Sequence, residues 1–309
     1  MTEDLRWLIN AIMRKDTRGQ NDCIRAVCAK DKTVRDKAFV EKTLEWLDEL
    51  ENEIKLPANC TMFTIAEKDP DINLKRYYVT EREKAVAERI EKTHRVSEIF
   101  RSKGISYRNA TLLYGESGTG KTTFGRYVAK TMGLPFIYVN MSYLLDSYLG
   151  GSQKNLANLF RFVNEIECVF MIDEIDTIAV KRGAGNDVAE LGRVTIALMQ
   201  EMDRLDGRTI LIGATNRLDI IDEAVKSRFG GNGNIHEVVR FSHEERKKYM
   251  EMFMKDIGEE YTESELERLC ADTDGTLTQR IFERRMIEFV AERYYMELDK
   301  EGAEGGIPQ

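Results

Sequence analysis

The stretch that determines the fold reads Gly115-Glu116-Ser117-Gly118-Thr119-Gly120-Lys121-Thr122. It fits G-x-x-x-x-G-K-T, the pattern of a phosphate-binding loop, in which glycines allow backbone N–H groups to point at phosphates. Lys121 adds a positive charge, and the hydroxyl of Thr122 is suited to bind Mg²⁺. The pattern predicts a nucleotide site, and a glycine-rich surface turn is the alternative.

The residues on either side of this loop provide its context. Residues 111–114 form a short apolar run, which predicts a buried strand. Residues 123–130 can continue as a helix, whose N-terminus would favour an anion. A strand, a glycine-rich loop and a helix in this order favour the nucleotide site over the surface turn.

Beyond residue 77, apolar runs alternate with helical stretches, which predicts an α/β fold with a parallel five-stranded sheet flanked by helices. The predicted strands are residues 111–114, 135–139, 168–172, 209–212 and 235–241. We therefore expect a nucleotide-binding domain over 77–241, a helical lid over 242–298 and a flexible tail over 299–309.

The first 68 residues predict a small helical region, because apolar residues recur there at helical spacing among charged ones. Trp7 and Trp46 lie on the predicted apolar faces. These faces either pack into a core or dock a partner. Prolines and acidic residues indicate a linker near residues 57–76.

A second motif follows the third predicted strand. The apolar residues 169–172 lead directly into Asp173 and Glu174, about 50 residues after the phosphate loop. A buried strand in this position would carry Asp173 to a metal ion, and Glu174 would polarise a water in line with the γ-phosphate. Acidic residues after a strand are common on surfaces, but the spacing from the phosphate loop favours the catalytic interpretation.

The fourth predicted strand ends in Gly213-Ala-Thr-Asn216. A neutral amide at the tip of a strand beside the phosphate loop can orient the attacking water and contact the γ-phosphate. The alternative is an asparagine that turns the chain after a strand.

Net charge, cysteine content and the length of apolar stretches argue against duplex-DNA-binding, secreted and membrane-spanning proteins. The net charge of −8 argues against a surface built for duplex DNA, although a local basic patch would be compatible with it. Five cysteines without a C-x-x-C pair predict reduced thiols in a cytoplasmic protein. No apolar stretch is long enough to cross a bilayer, and the acidic N-terminal residues do not fit an export signal.

The combination of motifs resembles the AAA ATPase family of the AAA+ superfamily. The resemblance covers roughly residues 77–298, and we can assign the first 70 residues to no family. The matching stretches, in order, are residues 115–122, Met171-Ile-Asp-Glu-Ile-Asp176 with Lys181-Arg-Gly183, Met199-Gln-Glu-Met-Asp203, and Ala214-Thr-Asn-Arg217.

The resemblance implies an ATPase that forms a ring, usually a hexamer, with ATP and Mg²⁺ between subunits. Glu174 matches the water-activating glutamate, and Asn216 matches the polar sensor residue. The implied nucleotide-binding residues are the eight of the phosphate loop with Thr123, Asp173 and Arg280, and the implied metal ligands are Thr122 and Asp173.

Arg228 matches an arginine finger that reaches the γ-phosphate of a neighbouring subunit. The chain departs here from the family, which often has two arginines around a Pro-Gly pair. Arg217 and Lys226 are nearby substitutes. Arg280 resembles the second sensor of several AAA+ branches, and an exposed helix residue is the equal alternative.

Tyr148, Leu149 and Gly150 match the pore loop with which the family grips a threaded polypeptide. A flat, rigid aromatic ring can contact an extended chain by dispersion without reading its sequence. The alternative is that Tyr148 packs against the following helix.

We therefore expect an ATP-driven ring motor that remodels or unfolds protein substrates, with the N-terminal region docking a substrate or adaptor. An ATPase that acts with nucleic acid is the second hypothesis, but residues 146–154 offer only Lys154 as a basic residue. The third is an ATP-gated assembly adaptor, against which stands the intact pair of Asp173 and Glu174.

Overall fold

The structure is a computed structural model, and it describes residues 6–7, 17–30, 37–52, 54–105, 107–146, 151–179, 187–273 and 275–304. The chain divides into two compact units, Met1–Lys55 and Leu56–Gln309. The first unit contains helices α1 (Thr17–Lys30) and α2 (Lys37–Asn52). Cys23 and Cys28 of α1 are buried, whereas Trp7 is 45% exposed. The side chain of Trp46 lies outside the described residues.

The second unit is built on one six-stranded sheet, in the order β1-β3-β4-β5-β2-β6. The strands are β1 (Thr64–Glu67), β2 (Asn109–Tyr114), β3 (Phe136–Asn140), β4 (Val169–Asp173), β5 (Ile210–Thr215) and β6 (Ile235–Glu237). Strands β2 to β6 are parallel, and β1 pairs antiparallel with β3. The predicted α/β fold with five parallel strands is confirmed.

Strand β1 was not expected, because it lies within the stretch predicted as a linker. Its four residues are too few to show a convincing alternation of apolar and polar side chains. Its pairing partner is β3, about 70 residues later, with Ile65 opposite Tyr138. Arg126 supports the strand by binding both carboxylate oxygens of Glu67, at 2.8–3.1 Å.

Helices alternate with the parallel strands as the sequence predicts. They are α3 (Glu81–Ser102), α4 (Lys121–Met132), α5 (Met141–Asp146), α6 (Ser152–Glu165), α7 (Asp187–Arg204) and α8 (Glu223–Arg228). Thr80 caps α3 in a capping box with Glu83. Phe124 and Val128 of α4 pack with Met171 and Ile212 in the buried core of the sheet.

Helices α9 (His243–Ile257), α10 (Glu263–Cys270) and α11 (Gln279–Glu304) follow the sheet. They have their own apolar cluster, which includes Tyr249, Phe253, Leu266 and Phe282. Capping boxes begin α9 at Ser242 and α10 at Thr262. Strand β6 ends at Glu237, earlier than predicted, and residues 238–242 form a connector to α9.

Candidate active site

The sheet topology brings the predicted motifs to one edge. Strands β4, β5 and β2 are adjacent and parallel, so their carboxyl ends meet at the same edge of the sheet. Asp173 ends β4, Asn216 follows β5, and Gly115 follows β2. Residues distant in sequence therefore converge around the phosphate loop.

Glycines of the loop adopt backbone conformations that other residues rarely take. Gly118 and Gly120 have φ angles of 84° and 93°. A Cβ atom on Gly115 would lie 2.2 Å from the carbonyl oxygen of Val238, so a larger residue cannot be accommodated. Because Gly120 is also the N-cap of α4, the loop combines exposed backbone donors with a helix N-terminus, which suits a phosphate group.

Lys121 is buried and held by three oxygen acceptors. Its Nζ donates to the carbonyl oxygens of Gly115 and Glu116 and to Oδ1 of Asn216, each at 2.8 Å. Burial lowers the pKa of Lys121, while the carboxylates of Asp173 and Asp176 act to raise it. The contact with Asn216 joins the tip of β5 to the phosphate loop.

The two predicted metal ligands are in direct contact. Thr122 Oγ1 donates to Asp173 Oδ2 at 2.8 Å, and the hydroxyl of Tyr138 lies 3.3 Å from the same oxygen. Burial, followed by the charge of Asp173, raises the pKa of Tyr138 to about 12, so its hydroxyl remains a donor at neutral pH. A hydroxyl beside a carboxylate is an oxygen-ligand set that fits Mg²⁺.

Glu174 combines an unusual backbone conformation with a fixed side chain. Its φ angle of 54° makes it the one non-glycine residue with positive φ in the described part of the chain. Ser142 Oγ donates to Glu174 Oε2 at 2.6 Å and lies 3.1 Å from Thr177 Oγ1. Strained conformations of this kind are held by surrounding contacts and concentrate at functional sites.

A cleft of about 830 Å³ extends from the phosphate loop to the C-terminal helices. The sequence-predicted residues Ser117, Gly118, Thr119, Gly120, Lys121, Thr122, Thr123, Asp173, Glu174, Asn216 and Arg280 line it. Four aromatic residues also line the cleft, and the sequence patterns did not predict them there. They are Tyr77, Tyr78, Phe241 and Tyr249. The adjacent tyrosines 77 and 78 could be seen in the sequence, but their place beside the cleft depends on how the preceding segment folds.

Arg228 lies on α8 and is bound within its own chain. Its guanidinium donates to Asp203 Oδ2 at 2.9 and 3.2 Å, and to the carbonyl oxygens of Met199 and Ala224. Arg108 donates to the other oxygen of Asp203 at 2.8 Å. Although burial acts to raise the pKa of Asp203, the hydrogen bonds from these two arginines lower it.

The two substitutes considered for Arg228 are bound to neighbouring acids. Arg217 pairs with Asp219 at 3.1 Å, and Lys226 pairs with Glu223 at 2.8 Å. Neither these residues nor Arg228 lines the cleft in the part of the chain that the structure describes.

Arg280 lies at the start of α11, next to the phosphate loop. Its backbone N–H donates to the carbonyl oxygen of Gly118 at 3.0 Å, and its side chain is exposed and lines the cleft. Its positive charge is one of the smaller influences that lower the pKa of Lys121, after burial. Its position therefore fits both interpretations made from the sequence, a second sensor of the nucleotide and an exposed helix residue.

The predicted pore loop, Tyr148, Leu149 and Gly150, lies outside the described residues, and so does the Lys181–Gly183 stretch. The role of the pore loop in gripping polypeptide stays a prediction.

Comparison with known proteins matches the region that contains the phosphate loop, Asp173, Glu174 and Asn216. Residues 111–236 match the profile of the ATPase family associated with various cellular activities (AAA). The chain is 34% identical over 161 residues to the peroxisomal ATPase PEX6 of Komagataella pastoris, covering 50% of this chain and 14% of that protein. It is 37% identical over 152 residues to the 26S proteasome subunit RPT4 of Saccharomyces cerevisiae, covering 48% of this chain and 35% of that protein.

These matches span well under half the length of either relative. Among the described residues, no helix combines the length and the apolar character that a membrane span requires.

Proposed function

We propose, from the premise that residues 111–236 form a domain of the AAA ATPase family, that this chain hydrolyses ATP with Mg²⁺. The observation that carries the proposal is the convergence of Lys121, Asp173, Glu174 and Asn216 at one edge of the sheet. Each of these side chains has a role in phosphoryl transfer to water.

Each residue contributes a separate part of the proposed reaction. Lys121 neutralises phosphate charge, and Asn216, which is hydrogen-bonded to it, orients the attacking water. Thr122 and Asp173 would hold Mg²⁺, which supplies Lewis-acid stabilisation of the phosphate oxygens. Glu174 accepts the proton of the attacking water.

The proposal includes a ring of identical subunits, with a hexamer as the expected form. Its support is the position of Arg228, whose guanidinium is bound to Asp203 away from the cleft of its own chain. An arginine in that position would complete the active site of an adjacent subunit rather than its own.

We further propose that the ring remodels protein substrates, with residues 1–68 docking a substrate or adaptor and Tyr148, Leu149 and Gly150 gripping polypeptide. The similarity to a peroxisomal ATPase and to a proteasome subunit supports a protein substrate over nucleic acid. The negative net charge agrees with this choice. Five cysteines without a disulfide support a reducing, cytoplasmic compartment.

Steady-state ATP hydrolysis by the purified full chain tests the proposal. We expect Mg²⁺-dependent turnover that an unfolded protein stimulates and single-stranded or duplex DNA does not. Glu174→Gln should bind ATP as the wild type does and hydrolyse none, because an amide accepts no proton. Stimulation by DNA alone would favour the nucleic-acid hypothesis, and turnover equal to wild type in Glu174→Gln would contradict the assigned base.

A further inference from the structure

The connector 238–242 runs alongside the phosphate loop. The N–H of Val238 donates to the carbonyl oxygen of Tyr114 at 2.7 Å, and the carbonyl oxygen of Val238 fills the space beside Gly115. Gln279 Nε2, at the start of α11, donates to the carbonyl oxygen of Val239 at 2.8 Å. The connector is thus held against the loop on one side and against α11 on the other.

An ion pair joins the connector to the loop at its second residue. Arg240 Nε donates to Glu116 Oε2 at 2.7 Å, and a second nitrogen of the same guanidinium contacts the same oxygen. The Arg240 side chain is 30% exposed and that of Glu116 is 59% exposed, so solvent and salt weaken the pair, mainly from the Glu116 side.

Glu116 places a carboxylate in a loop that would receive a polyanion. The ammonium of Lys121 bonds to the backbone carbonyl of Glu116 rather than to its carboxylate. Because this carbonyl lies 2.8 Å from the ammonium, Glu116 is a direct neighbour of the lysine that would meet the phosphates. Without a cation beside it, this carboxylate would repel the phosphates of a nucleotide.

We propose that Arg240 is a positioning residue that neutralises Glu116 and thereby sets how tightly the loop holds a nucleoside triphosphate. The inference rests on the proposed nucleotide site. Because repulsion grows with the charge of the ligand, the effect of Arg240 is largest for ATP, smaller for ADP and smallest for AMP. Arg240 acts through Glu116, so it is not itself a catalytic residue.

A purely structural tie between loop and connector leads to a different expectation. If the ion pair only held the connector in place, removing either partner would weaken nucleotide binding by the same amount. Charge neutralisation instead changes nucleotide affinity in opposite directions. Loss of Arg240 leaves the negative charge of Glu116 unneutralised and weakens binding, whereas loss of the Glu116 charge leaves an unpaired cation near the phosphates and strengthens it. The two variants therefore separate the two explanations.

The test measures the Kd of ATP, ADP and AMP in the full chain for Arg240→Gln, Glu116→Gln and the double variant. We expect Arg240→Gln to weaken ATP binding about fivefold at low salt, with less effect on ADP, and Glu116→Gln to bind ATP at least as tightly as wild type. The double variant should return to within about twofold of wild type, because it carries neither charge of the pair. Raising the salt from about 0.05 M to 0.5 M should reduce the loss.

Arg284→Gln is the matched control, because Arg284 forms a 2.8 Å ion pair with Glu288 on α11 away from the cleft and should leave every Kd unchanged. Equal losses in Arg240→Gln and Glu116→Gln, no loss in Arg240→Gln, or no recovery in the double variant would overturn the proposal. A wild-type chain that binds no nucleotide would instead overturn the proposed function.

Discussion

Ser142 donates a 2.6 Å hydrogen bond from its hydroxyl to Oε2 of Glu174. The serine lies in α5, directly after β3, and the glutamate directly follows β4, so the bond crosses between neighbouring strands. It fixes the side chain that we assign as the catalytic base, on a residue whose backbone is already in the left-handed region. The orientation of Glu174 is therefore set by a residue outside the sequence motifs.

We predict that Ser142→Ala lowers turnover by about tenfold, because Glu174 loses its fixed orientation toward the attacking water. The Kd of ATP should remain close to that of wild type, since no contact of the phosphate loop changes. Thr177→Val is the control: its hydroxyl contacts Ser142 rather than Glu174, so its effect should be smaller. Unchanged turnover in Ser142→Ala would show that the bond has no positioning role.

Lys121→Ala is expected to abolish tight ATP binding, because the phosphates lose the buried positive charge of the loop. Isothermal titration with ATP and Mg²⁺ measures this directly. The fold should persist, as circular dichroism would show, because the carbonyl groups of Gly115 and Glu116 can bind water instead. ATP affinity equal to wild type would remove the basis for the nucleotide site.

For Arg228→Ala we predict near-normal ATP affinity and a loss of at least ~10³ in turnover, the low end for arginine fingers. Mixing this variant with Glu174→Gln subunits should restore part of the activity. In a mixed ring, some interfaces pair an intact Glu174 with an intact Arg228 of the adjacent subunit. No recovery in rings that demonstrably exchange subunits would contradict a finger acting between subunits.

Tyr148→Ala should preserve basal ATP hydrolysis and abolish both polypeptide remodelling and its stimulation of turnover, because the grip requires the aromatic ring. Tyr148→Phe should retain most of the activity. A core role would instead lower stability by ~3 kcal/mol or more, the cost of a lost buried aromatic, and turnover would fall with it. Thermal melting measured beside ATP hydrolysis distinguishes the two results.

The C-terminal helices provide a pH-dependent prediction. Hydrogen bonds from the backbone of Thr262 and the side chain of Arg293 lower the pKa of Glu265 to about 2, from 4.5. A lowered pKa stabilises the fold above the unfolded-state value, and this contribution is lost as the pH falls from 4.5 toward 2. Glu265→Gln should therefore lower the urea midpoint at pH 7, and the difference from wild type should shrink through that pH range. A difference that does not vary with pH would contradict the assignment.

Local patterns accounted for much of the fold and of the site. The phosphate loop, the Asp173–Glu174 pair and the positions of the five parallel strands could be predicted because each is marked by a pattern of neighbouring residues. Tyr138 and Ser142 could not, since their contacts depend on the register that sets Asn140 beside Asp173. Strand β1 likewise becomes a strand only through its distant partner β3. The bond between Arg228 and Asp203 joins residues 25 positions apart whose spacing follows no local period.

Asp203 binds two arginines at once and thereby joins two distant parts of the chain. Arg108 is the residue immediately before β2, the strand that runs into the phosphate loop, whereas Arg228 is the last residue of α8. Moving Arg228 outward would therefore break its bonds to Asp203, the carboxylate that also binds Arg108. In the proposed ring, contact of Arg228 with an adjacent molecule would leave Asp203 bound to Arg108 alone, next to the strand that leads into the phosphate loop.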